Sequence, residues 1–464
     1  MVSFLGAFKP VARFIPEVQM PKRRVPLVER LVWTASALAA YLIMCEVPLY
    51  GVMVGRDPFE ATRVIFASRR GTLMELGIMP TVNAGLILQV LAGSGLISVD
   101  LSRSEDRSLF SIAMKVLASI LTMVMSLSYI IAGTYGPLPF TAAAIVFAEL
   151  MLTGLVIILL DELLQKGWGF GSGISLFILA GVCREIWWQC FGFDPRRGIA
   201  VGAILAFLQS LTAGDVWSSI YRGGTLPDMI GLASTVVVFL ILVYLSNVRA
   251  ELPISHAGIR GARGRFPIKL LYISVIPVIF SSMLFFSYIN IVYLVWTRVT
   301  PHDSFLWDVV GRFEEGGMVP KAGLAYYLFA PRSLTDVMAH PVRASVYATL
   351  MVVSCAIFAN LWIQIGGVGP ADVARQLIDS GMFFPGFRRV YGIAERVLQR
   401  YIPTIALLGG IIVGVIAALS DFLGVFGSGT GILLAVEIVH QYHRILQRER
   451  AIEMYPGLVT VLGR

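Results

Sequence analysis

Residues 140–183 read FTAAAIVFAELMLTGLVIILLDELLQKGWGFGSGISLFILAGVC, and this stretch sets the fold class. Two apolar runs, Ala142–Leu160 and Ile174–Cys190, flank a short connection rich in polar residues and glycine. Each run comes close to the roughly 20 apolar residues needed to cross about 30 Å of hydrocarbon. Neither run alternates as a membrane β-strand does. Backbone inside lipid must satisfy its polar groups within its own segment, so two consecutive membrane-spanning helices are expected.

The same pattern continues outward in both directions. Toward the N-terminus lie Leu31–Val52, Leu76–Leu96 and Phe110–Tyr135. Toward the C-terminus follow Ile230–Asn247, Leu270–Thr297, Ala344–Ile365, Tyr401–Leu423 and Gly431–Leu446. Composition agrees: the 464 residues are 57% hydrophobic and only 14% charged, with a mean hydropathy of +0.78. Soluble domains carry about 25% charged residues, and a soluble chain this apolar would expose large adhesive patches. The expected architecture is an all-α polytopic membrane protein of ten transmembrane helices. Its segments are an N-terminal portion (1–30), a first half (31–190), a connection (191–229), a second half (230–446) and a tail (447–464). Paired halves are common in membrane proteins.

The net charge of +8 suits positive-inside loops or a polyanionic partner. With the N-terminus in the cytosol, the basic residues of 1–30, 249–269, 366–400 and the tail fall on one side. That side carries the larger Lys/Arg count. Phe4, Leu5, Phe8, Val11 and Phe14 interleave with Lys9 and Arg13, the pattern of a short interfacial helix rather than a cleaved leader. The loops 249–269 and 366–400 are long for a compact membrane protein; taken alone they read as solvated positive-inside loops. Cys45, Cys183, Cys190 and Cys355 fit no zinc or disulfide spacing and read as small apolar side chains.

Catalytic and cofactor signatures do not emerge. GWGFGSG (167–173) and GSGTG (427–431) lack the Gly-Lys-Ser/Thr of a phosphate loop and read as tight bends. His440 and His443 share a helix face without third or fourth ligands. Glu46 and Glu437 place carboxylates within apolar runs, where a water-facing or paired role is expected.

Several strings resemble the SecY family in its eukaryotic α-subunit form. They are the Phe4–Arg23 pattern around KP, PE and QMPKR, and RVIFASRRGTLMELGIMPTVNAGLILQVLAG (63–93). They continue with LLDELLQKGWGFGSGISLFI (159–178), LPI…RG…PIKLLYISVIP (252–277), RYIPT (400–404) and DFLGVFGSGTGILLAV (421–436). These run in order across nearly the whole chain; residues 193–227 and 300–341 match least. The resemblance implies a SecY-like channel. In it, two pseudo-symmetric five-helix halves enclose an hourglass pore, with a lateral gate toward lipid.

The family's ring of aliphatic pore side chains corresponds here to Ile78, Val82, Ile174, Ile178, Ile279 and Leu434. An apolar constriction blocks ions by dewetting and imposes no sequence preference on a passing chain. The resemblance places a plug at about 58–70, including Pro58, Phe59, Arg63, Val64, Ile65 and Arg69. Asp57 is its expected N-cap, with Pro58 at the first helical position. Asn83, Met125 and Ser287 fall at the family's polar gate positions, and Glu46 and Glu437 stand where family members usually carry uncharged residues. Arg260, Arg263, Arg265, Arg388 and Arg389 fall in its ribosome-binding loops, where Arg pairs with RNA phosphate. Partners implied are single-span β and γ subunits, the ribosome with its large-subunit rRNA and proteins, signal sequences and nascent chains. Accessory translocation factors, a lumenal chaperone and membrane lipid complete the set, all in the endoplasmic reticulum membrane, with both termini cytosolic. The competing reading is an ion-coupled secondary solute transporter, which would need polar ligands converging at midplane. A membrane enzyme would need paired His or carboxylates within spans.

Overall fold

The computed structural model describes residues 16–23, 25–52, 63, 66–93, 96–97, 104–136, 138–194, 199–214, 217–222, 226–256, 263–271, 276–297, 305–313, 319–331, 333–366, 368–385 and 390–454. The ten expected spans each coincide with a helix. These are α1 (Leu27–Glu46), α2 (Met79–Gly93), α3 (Ser104–Ile131), α4 (Phe140–Leu163) and α5 (Gly173–Phe191). After the short helices α6 (Ala203–Ala213) and α7 (Trp217–Ile220) come α8 (Met229–Asn247) and α9 (Ile276–Trp296). Three more short helices follow, α10 (Phe305–Val310), α11 (Gly323–Leu328) and α12 (Leu334–Ala339). The chain ends with α13 (Pro341–Ile365), α14 (Pro370–Asp379), α15 (Tyr391–Phe422) and α16 (Gly429–Met454).

Among the described residues, 8 helices are long and apolar enough to cross a membrane. The other two depart for separate reasons. Helix α2 has only 15 residues, because residues 66–78 adopt an irregular, compact course before it. Helix α16 runs past Leu446 into the charged sequence QRERAIEM, and there Arg30 of α1 pairs with Glu449 at 3.0 Å. Helix α1 stops at Glu46 rather than Val52, since Pro48 instead bridges to Thr72 in an antiparallel contact. Helix α15 begins ten residues before the expected Tyr401. Its added turns bury Ala394 and Leu398 in a core shared with α13 and α14.

Two compact units divide the chain. One contains Met1–Ile186 and Leu434–Arg464, the other Trp187–Leu433. Within the first, α4 passes through a π-helical turn, Leu164–Trp168, before α5. Asp161 organises this connection. Its carboxylate accepts the Ile174 N–H at 3.1 Å and the Ser172 hydroxyl at 3.1 Å, while Gln165 donates at 2.8 Å. It thereby satisfies an otherwise orphaned donor at the start of α5. A Cβ at Gly173 would lie 2.7 Å from the Asp161 Cα, so the approach requires glycine. Beside it, Glu162 binds Lys115 of α3 and Lys166, which also reaches Glu17 at 2.6 Å. The Lys166 ammonium holds the Glu17 carboxyl below its ordinary range.

The second unit gives one expected loop regular structure. Residues 249–256 and 263–269 of the expected loop pair as antiparallel strands, β3 (Arg249–His256) with β4 (Arg263–Lys269). Short strands also occur at β1 (Phe193–Asp194), β2 (Ile199–Ala200), β5 (Arg312–Phe313), β6 (Pro320–Ala322) and β7 (Met382–Phe383). All lie in connections between the spans, so the membrane part remains helical. The hairpin forms because Leu252, Ile254 and Ile268 can bury one face against α13, α14 and α15.

Candidate functional site

The start of the second span carries a compact, buried polar construction in unit one. Arg63, at 2% exposure, forms an ion pair with Glu75 at 3.0 Å, and its guanidinium also donates to the Glu75 carbonyl at 3.2 Å. Both side chains are buried, and the Glu75 carboxylate also accepts the Gly71 N–H. The Arg63 carbonyl in turn accepts the N–H groups of Phe66 and Ser68, each at 3.0 Å. The segment therefore folds back on itself around one buried charge pair. Such a pair resists removal of either partner more than it adds net stability.

This construction is fastened directly to the first expected pore residue. The Ile78 N–H donates to the Phe66 carbonyl at 2.9 Å. Phe66, Ala67 and Ile78 are all essentially inaccessible. Gly77, at φ +55°, makes the reversal possible between them. Tyr41 of α1 donates to the Ala67 carbonyl at 3.4 Å and stacks on Phe177 of α5, with centroids 5.0 Å apart. The strap after it pairs with the end of α1: Leu49 N–H to Gly71 carbonyl and Leu73 N–H to Val47 carbonyl, each 3.0 Å.

Of the expected ring, Ile78 and Val82 share a face at the head of α2, with the Val82 N–H bonded to the Ile78 carbonyl at 3.0 Å. Ile174 and Ile178 share a face of α5, and Leu434 lies on α16; all five belong to unit one. Ile279 lies on α9 of unit two. Of the expected plug, Arg63 and Arg69 are described, whereas Pro58, Phe59, Val64 and Ile65 lie outside the described residues, as does Asp57. Arg69 reaches Glu46, so that carboxylate is paired, as the sequence led us to expect. Glu437 lies 3.6 Å from Arg444. Asn83 is half-buried on α2 and Ser287 half-buried on α9. Met125 packs against a cluster of Leu49, Leu76, Tyr129, Val146 and Leu150.

The two expected ribosome-facing loops turn out to be one platform. Ser255 and His256 of β3 pair with Phe383 and Met382 of β7, which gives a sheet in the order β4-β3-β7. Arg263 and Arg265 sit on β4. Arg265 is exposed and pairs with Glu251 across the hairpin at 2.5 Å, which raises the guanidinium pKa. Arg260, Arg388 and Arg389 lie outside the described residues. The partners of Arg63 and Glu46 were not readable in the sequence. The sheet had a signal, the alternation of Leu252 with Ile254 and of Phe266 with Ile268.

Fold and site together define a multi-pass helical membrane protein whose second span starts from a buried, charge-pinned cap. A family model described as SecY matches residues 72–443, and one described as the plug domain of Sec61p matches residues 40–71. The chain belongs to the SecY family. The protein translocase subunit SecY of Pyrococcus furiosus is 41% identical, over 97% of this chain and 97% of that one. Sec61 subunit alpha, a protein transport protein of Dictyostelium discoideum, is 39% identical, over 96% of this chain and 97% of that one. The canine Sec61 structure, from a ribosome-channel complex of the endoplasmic reticulum, superposes with a TM-score of 0.78. It is 34% identical, and the match covers 97% of this chain and 99% of that one.

Proposed function

We propose that this chain is the central channel-forming subunit of the protein translocon in the endoplasmic reticulum membrane. It conducts secretory polypeptides across the bilayer and releases signal and transmembrane segments sideways into lipid. The observation that carries this reading is the bond between the Phe66 carbonyl and the Ile78 N–H, which ties a compact charged cap to an aliphatic pore position. A solute transporter needs polar ligands at that depth. Ile78 and Val82 are aliphatic, and the folded segment beside them suits a stopper better than a ligand.

Ile78, Val82, Ile174, Ile178, Ile279 and Leu434 act as the aliphatic collar, and residues 58–70 act as the plug. The chain contains no nucleotide-binding motif, so the work of transport comes from partners: the ribosome, accessory factors or a lumenal chaperone. Small β and γ subunits complete the complex, and both termini face the cytosol. The test is reconstitution in phospholipid vesicles with ribosome-bound nascent chains. Translocation of the chains is the expected result. Stoichiometric movement of a small solute with an ion, and no polypeptide, overturns the reading.

The loops 249–269 and 366–400 serve ribosome docking, with Arg260, Arg263, Arg265, Arg388 and Arg389 as phosphate contacts. Contacts of this kind release counterions, so affinity falls steeply with salt. Cosedimentation with ribosomes is expected to weaken about tenfold or more between 50 and 200 mM salt. Arg260→Ala with Arg388→Ala should flatten that slope, and an unchanged slope counts against the assignment.

Met125 bears on the lateral gate. A Gln there would press an amide against the Leu76 and Tyr129 cluster, at a cost of about 1–3 kcal/mol where unpartnered. Met125→Gln is therefore expected to favour opening and lower the hydrophobicity that a signal needs. A graded Leu/Ala signal series measures this. An identical threshold in both proteins removes the idea.

A further inference from the structure

Three charges meet where α1 ends. Glu46, the last residue of α1, accepts from Arg69 of the plug strap and from Arg184 of α5, the latter at 3.3 Å. Arg69 also donates to the Cys45 carbonyl at 3.3 Å, so its guanidinium is held at two points on α1. Glu46 and Arg69 are both substantially exposed, whereas Arg184 is about one-quarter exposed at 26%. The cluster sits beside the backbone strap formed by Leu49, Gly71, Val47 and Leu73.

The arrangement is unbalanced, with one carboxylate serving two guanidinium groups. The Glu46 carboxylate holds Arg69 against the end of α1 and offsets the repulsion between Arg69 and Arg184. Without it, two like charges face each other across the strap, and the strap is pushed away from α5. We infer that Glu46, Arg69 and Arg184 form an ionic latch that positions the plug strap against α1 and α5 and sets how often the resting seal opens. Glu46 acts as a positioning residue whose charge converts a repulsive pair into a closed clasp. The latch rests on the channel reading above only for its consequence in transport; the clasp itself is a property of unit one.

Charge logic gives the test a signature that a merely structural role does not share. Arg69→Gln removes the attraction but leaves Glu46 with Arg184. Glu46→Gln removes the attraction and exposes the repulsion. The double variant removes both. Hydrogen exchange at the Leu49 and Leu73 amides reads strap opening in the full-length protein in phosphatidylcholine vesicles, and ion flux across the same vesicles reads the seal.

Arg69→Gln is expected to speed exchange about threefold, the scale of an exposed pair. Glu46→Gln should exceed it, and the double variant should fall back to the Arg69→Gln value, with flux in the same order. In the wild type, raising salt should loosen the strap by screening. Equal exchange in all three variants, or a double variant that opens more than Glu46→Gln, overturns the latch. Vesicles that show the expected order yet translocate no nascent chain leave the latch standing and overturn the channel reading.

Discussion

Alanine at position 77 is expected to unseat the cap of the second span and leave the resting channel open to ions. Gly77 has φ +55°, and a Cβ there would lie 2.2 Å from the Phe66 carbonyl oxygen and 2.8 Å from the Ser68 Cβ. The backbone conformation alone costs a side-chain-bearing residue about 1–2 kcal/mol. The contact cannot be relieved by rotating a side chain, because its first obstacle is backbone. Phe66 must move, and its carbonyl then loses the Ile78 N–H, a buried bond whose loss costs roughly 1–3 kcal/mol. These terms sum to about 2–5 kcal/mol, enough to raise the open fraction at least tenfold. Ion flux through reconstituted vesicles measures this. Gly85→Ala is the control: its Cβ would meet the Met114 sulfur at an ordinary 3.4 Å, and no leak is expected. Equal tightness of the two variants contradicts the role given to the Phe66–Ile78 bond.

The second large effect is expected at Glu75. Its carboxylate serves Arg63 and the Gly71 N–H in an environment that excludes water. Glu75→Ala removes the countercharge while the guanidinium stays buried, a change that costs about 3–5 kcal/mol. Proteolysis of the 66–78 segment and melting of unit one should both report it. Glu75→Gln keeps the shape and an acceptor for Gly71, so a smaller loss is expected. Replacing the pair together, as Arg63→Met with Glu75→Leu, should recover much of the stability, since a buried pair contributes little beyond its apolar substitute. If the double replacement is as unstable as Glu75→Ala, the charge pair is not what the segment depends on.

The spans were legible because the bilayer imposes one rule on every segment, and runs such as Ala142–Leu160 obey it without help from neighbours. Positions along those helices, such as Ile78 with Val82, follow from periodicity once the family resemblance names a face. The sheet was harder to see. Leu252 and Ile254 alternate, but Arg and Gly around them suggested a solvated loop, and β7 joins from 126 positions later, at Met382 opposite His256. Long-range partners are invisible for the same reason. Glu46 drew notice as a carboxylate in an apolar run, yet its partner Arg184 lies 138 residues away. Glu75 drew none, because a single acid at the head of a helix looks like an ordinary N-terminal charge until Arg63 is found beneath it.

Helix α15 has 32 residues, which at 1.5 Å each makes a rod of about 48 Å against roughly 30 Å of hydrocarbon. About 18 Å must project beyond the oily layer, and its outer turns are glued to the β4-β3-β7 sheet through Ala394 and Leu398. Pro403 stands twelve residues from the start, where one rung of the ladder is missing and bending is easiest. A push on the sheet is thus delivered to a crank with its own knuckle. A few degrees at that knuckle move the outer end by an ångström or two while the embedded shaft stays put.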